Sequence, residues 1–125
     1  MSDLTAFRDG VSELEQIQAK MAGISKCDEA DWRRGLIDLR RQLQSQISRV
    51  ATVAKDCDRL VSDQRLASQV RDALSHMRST LALHQADWPA VAIDPESLDY
   101  RMSVESVRTA NRAFLDLAKQ VLVGR

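Results

Sequence analysis

Apolar residues recur at Leu4, Phe7, Val11, Leu14 and Met21, the three-to-four spacing of one stripe along a helix. Ser2 or Asp3 can cap the first turn and Gly23 marks the end, which predicts a helix over residues 3–23. A second stripe runs through Trp32, Leu36, Leu39, Leu43, Val50, Val53, Cys57 and Leu60, about 43 Å of helix at about 1.5 Å per residue. Asp28 precedes it as a cap, with Glu29 and Asp31 at the positive end of the helix dipole, so the second helix is predicted over 28–60. The third stripe, Leu66, Val70, Ala73, Met77 and His84, is out of phase with the second, whose continuation would present Gln64, Ala67 and Arg71. Such a slip demands a break. Ser62 and Asp63 place a tight turn near 60–63 and a third helix over 63–86, with one long bent helix as the alternative because no glycine marks the spot.

Pro89 and Pro95 bias their predecessors toward extended geometry, so 87–94 is predicted as a loop. Its Trp88, Val91 and Ile93 are expected to fold over one end of the core. Asp94 then caps a last helix over 95–123, with Pro95 in the first position, where a missing amide hydrogen costs nothing. Tyr100, Val104, Val107, Phe114, Ala118 and Val121 form its stripe, broadened by Leu115, Leu117 and Leu122. Four amphipathic helices with short connections predict an all-α single domain, an antiparallel up-down four-helix bundle.

Composition agrees with this outline. No Gly or Pro falls between Gly35 and Pro89, Ala (15), Leu (14) and Arg (14) abound, and aromatic residues number five. A chain of 125 residues buries roughly two-thirds of its unfolded surface and needs neither metal nor disulfide to fold. Eighteen basic and eighteen acidic side chains cancel, which argues against a protein acting mainly by net charge on nucleic acid or anionic lipid. The start of the chain lacks the basic and apolar regions of an export signal, and no apolar run reaches the length of a membrane span. Ala-Asp-Trp occurs at 30–32 and again at 86–88, but the flanks do not align and one chance tripeptide match is expected at this length.

Each candidate for chemistry has a plainer reading. Cys27 and Cys57 would lie roughly 45 Å apart on a continuous second helix, too far to bridge, which points to a reducing compartment. His76 is the best enzyme-like residue, since a bundle can offer an exposed histidine to a phosphorelay, here facing the last helix near Glu105. Phosphotransfer domains usually carry Lys-Gly at the third and fourth positions after the histidine, and kinase dimerisation domains an acid at the first; these places hold Ser79, Thr80 and Met77. An exposed Asp72 and His76 pair four residues apart is the simpler account. A di-metal bundle needs inward carboxylates and paired Glu-x-x-His motifs, which are absent; no metal or cofactor is implied.

Gln18, Gln46, Thr80, His84 and Asn111 interrupt the core stripes. Measured from the predicted turns they fall at different heights, as scattered polar positions that set register rather than a pocket. Arginine outnumbers lysine 14 to 4, with Arg33, Arg34, Arg40 and Arg41 on the second helix and Arg101, Arg108 and Arg112 on the last. Acids are interleaved with both stripes and no aromatic residues stand between them to stack on bases, so nucleic acid is disfavoured. A GC-rich bacterial genome would also raise the arginine content.

Ile37, Ile47, Leu81, Leu83, Leu115, Leu117 and Leu122 stand off the narrow stripes, and apolar surface left uncovered marks a partner. The expectation is a cytoplasmic, bacterial, non-enzymatic protein-binding module, an adaptor, scaffold or small chaperone, that binds another protein or itself through Leu115, Leu117 and Leu122 with Arg108 and Arg112 at the rim. Phosphotransfer through His76 and weak nucleic-acid binding through the arginines are its alternatives.

Overall fold

The computed structural model describes residues 3–24 and 29–124. It is all-helical: α1 Asp3–Gly23, α2 Glu29–Lys55, α3 Asp58–Val61, α4 Gln64–Asp87, a 3-10 turn at Ala90–Ala92, and α5 Leu98–Val123, with no strand among the described residues. Ser2, Cys27 and Asp28, which the sequence made caps or a thiol, lie outside the described residues.

The helix predicted over 28–60 is two helices. α2 stops at Lys55, Cys57 turns to extended backbone, and the single turn of α3 follows. No Gly or Pro signals this break; its gain is tertiary. It buries Cys57 and Leu60, and it carries Arg59 to the end of α5, where Nη1 donates to the Val121 and Leu122 carbonyls at 2.6 and 2.9 Å. A cation there satisfies carbonyls that a helix end leaves unpaired and complements the negative pole. Gly124 completes the cap with φ at 81°, a left-handed conformation that glycine adopts without penalty. The expected turn after Leu60 is present: Asp63 accepts from the Leu66 amide at 3.1 Å and starts α4.

α5 begins at Leu98 rather than at 95. Asp94 closes a local turn onto the Glu96 amide at 3.0 Å, and Ser97 caps the helix by accepting from the Tyr100 amide at 3.3 Å. Two competing side-chain acceptors three residues apart thus shorten the helix, and Pro95 sits in the turn.

α1 packs along α2 and α4 along α5, while α1 with α5 and α2 with α4 join the two pairs. Phe7, Leu14, Ile47, Val50, Met77 and Phe114 are fully buried in the main core they share. Early residues of α1 meet late residues of α2: Gln46 donates to the Gly10 carbonyl at 2.9 Å and Glu13 pairs with Arg49 at 3.8 Å. At the other end Ile24 lies over Gly35, where a Cβ would come within 3.1 Å of it. The turn of α2 before Gly35 therefore overshoots α1.

It packs on the crossing loop, with Met21 and Ile24 from the end of α1 also against the cluster formed there. Trp32, Leu36, Ala90 and Ile93 form a second, smaller core, joined by half-buried Trp88 and Tyr100. Arg33 donates to the Ala90 and Ile93 carbonyls at 3.0 and 2.5 Å, and its guanidinium lies 4.6 Å from the Trp32 ring centre. The loop closes this end as expected through Ile93, whereas Val91 points outward with four-fifths of its surface exposed.

Candidate functional site

Between the two helix pairs, next to the closed end, lies a cavity of about 400 Å³. Gln18 from α1, His84 from α4 and Asn111 from α5 line it together. This corrects in part the expectation that the polar interruptions of the stripes are scattered: three of the five gather here, whereas Gln46 bonds to Gly10 and Thr80 lies outside the lining. α2 overshoots α1, so the levels at which the helices meet differ from those set by the predicted turns, each residue of offset moving a side chain about 1.5 Å along its helix. Gln18 consequently faces Met77, its Nε2 3.7 Å from the sulfur, instead of lying level with Arg33.

Leu36 and Leu43 of α2, Leu81 of α4 and Val104 and Val107 of α5 supply apolar wall, and Met21 and Ile24 close the α1 side. Polar groups converge near the crossing loop. His84 is 8% exposed, its Nδ1 is 2.6 Å from Ser103 Oγ, and its ring is 5.6 Å from that of Tyr100, which in turn meets Trp88 edge-on at 5.5 Å. Burial, reinforced by the nearby Arg40 charge and only partly offset by Asp87, pushes His84 down to about 4, so its imidazole is neutral at neutral pH. Burial also raises the Tyr100 phenol, against the pull of Arg40 and Arg108, and lowers Arg40, against the pull of Tyr100. Gln18 Oε1 is buried without a hydrogen-bond partner, a situation that costs about 1–3 kcal/mol.

Arg108 and Asn111 also line a shallow depression of about 350 Å³ on the α1/α5 seam, with Gln18, Arg112, Leu115 and Lys119. Three of the five residues expected to bind protein thus share one surface beside the cavity. Leu115, Leu117 and Leu122 are half-buried against the main core, which widens the buried face of α5, while Arg108 and Arg112 are exposed. Of the other off-stripe residues Ile47 and Leu81 are buried, and Ile37 and Leu83 are 44% and 67% exposed.

His76 is exposed on α4 outside the cavity, and no ion pair joins it to Asp72. Cys57 lies in the core at the far end. The arginine stripes divide: Arg33 holds the crossing loop and Arg40 lines the cavity, whereas Arg34 and Arg41 face solvent. Among the described residues no group of three or more His, Cys, Asp or Glu side chains comes together to hold a metal ion, and no helix is long and apolar enough to cross a membrane.

No protein-family model, curated protein or solved structure matches this chain.

Proposed function

We propose that the four long helices form an antiparallel up-down bundle that acts as a non-enzymatic binding module, with the cavity between its helix pairs as the binding site. The early-to-late pairing of α1 with α2 supports the topology, as does the contact of Ser103, near the start of α5, with His84, near the end of α4. The observation that carries the function is the gathering of Gln18, His84 and Asn111 around one largely apolar space, because a few convergent polar groups in an apolar wall are what orient a bound small molecule. Binding fits these residues better than turnover. An imidazole that takes up its proton only near 4 is a weak general base at neutral pH, and its Nδ1 contact is with Ser103 rather than an orienting carboxylate.

Calorimetric titration with decanol, an uncharged amphiphile with a ten-carbon chain, tests this reading. Saturable one-to-one binding is expected, reduced more than tenfold by Val104→Trp, which fills the cavity from α5. A folded Val104→Trp protein that binds decanol as the wild type does would remove the cavity from the account.

A second reading is favoured by the α1/α5 depression. It carries both signs of charge, Arg108, Arg112 and Lys119 beside Glu15 and Asp116, around Leu115, a pattern that can complement itself across a two-fold axis. In that reading the partner is a second copy of the chain. The mass in solution at high protein concentration is then expected to be that of a dimer, reverting to the monomer in Arg112→Glu; a wild type that stays monomeric ends it.

A further inference from the structure

Arg40 stands half-buried on α2, within one helical turn of Leu36 and Leu43 on the same cavity wall. It lines the space between the helix pairs together with Tyr100 of α5 and His84 of α4, and it also borders the open groove beside the crossing loop. Neither Tyr100 nor His84 answers its charge, since both rings are neutral at neutral pH. The other cations of the cavity are matched: Arg108 pairs with Glu105 at 3.2 Å, and Arg101 pairs with Glu96 at 3.0 Å and donates to the Pro95 carbonyl at 3.3 Å. Glu105, the acid of the lining, is therefore already engaged. Among the described residues no carboxylate pairs with Arg40 and no hydrogen bond holds its fork.

A guanidinium does not shed its proton in a protein, so withdrawing it from water calls for an acceptor; backbone carbonyls serve Arg33 and Arg59, none among the described residues serves Arg40, and an anion would. Its planar fork matches the paired oxygens of a carboxylate or phosphate. Apart from the polar groups of Gln18, His84 and Asn111, the wall beside Arg40 is largely apolar, formed by Leu36, Leu43, Leu81, Val104 and Val107, and accepts an apolar body. Resting on the reading of the cavity as the binding site, we propose that its ligand is an amphipathic organic anion. The oxyanion head, a carboxylate or a phosphate monoester, sits on Arg40, and an apolar body of about ten carbons lies against Leu36, Leu43, Leu81 and Val107.

The test is calorimetry on the full chain with decanoate, decyl phosphate, decanol and inorganic phosphate, repeated on Arg40→Met. One or both amphipathic anions are expected to bind at least tenfold more tightly than decanol, and their order tells carboxylate from phosphate. Arg40→Met should abolish that preference while decanol affinity stays within twofold, and inorganic phosphate alone should not bind. Arg40→Gln, which keeps a polar side chain at the site, gives the same comparison if the methionine variant fails to fold. An anion preference that survives in the folded variants, or a wild type with no preference, overturns the proposal. Decanol bound equally by all three proteins without an anion preference would overturn the anion and leave the cavity reading standing; no binding of any amphiphile, decanol included, would overturn both.

Discussion

Phe114→Ala is expected to lower the unfolding free energy by about 3–5 kcal/mol, read as a fall in the urea midpoint at unchanged slope. Phe114 has no exposed surface and sits in the cluster that draws side chains from all four long helices, so truncation removes its transfer energy and leaves a void that close-packed neighbours refill only in part. Domains of this size are held by about 5–15 kcal/mol in total, so the variant is expected to be near the edge of folding at physiological temperature. Phe114→Leu, which keeps most of the volume, should cost clearly less. A loss below about 1 kcal/mol for the alanine variant would mean that the two helix pairs are not joined by a shared core.

Acidification is expected to remove up to about 3 kcal/mol of stability between pH 6.5 and 4, through His84. The folded state holds this imidazole near 4 whereas the unfolded chain takes up its proton at the ordinary 6.5. In that window the unfolded state therefore binds more protons, and stability falls as pH falls; the contribution is whole above 6.5 and lost below about 4. The cause is first the burial of the ring, then the charge of Arg40, with Asp87 opposing. His84→Gln retains a side chain able to bond Ser103 and cannot titrate, so the difference between the wild-type and variant stability curves isolates the effect. Parallel curves from pH 7 to 4 would show that His84 takes up its proton in the folded state as freely as in the unfolded one. A bound organic anion on Arg40 would reduce one of the causes and shift the curve toward the ordinary value.

Much of the architecture was legible residue by residue. The stripes marked Phe7, Leu14, Leu43, Val50, Met77 and Phe114 as core, and all are buried, because a 3.6-residue period leaves an amphipathic chain one way to hide its apolar face. The out-of-phase third stripe located the turn at Ser62 and Asp63, and the prolines located the loop. Ser97 as the true cap of α5 was equally present in the sequence, but Asp94 three residues earlier offered the same local chemistry, and only the turn it makes with Glu96 separates them.

The chain's sequence alone determined helix content, the identity of the core faces and the sites of two connections, since these depend on spacing and backbone preference within a few residues. Tertiary structure alone decided the break at Cys57, the level at which each helix meets its neighbours and, through that level, the cavity. Local pattern says which way a side chain points around its own axis and nothing of how far one helix slides along another. That slide is set by distant packing: Trp32 and Arg33 on the crossing loop, and Arg59 on the end of α5. It brings Gln18, Arg40, His84 and Asn111, scattered over four helices in sequence, around one space.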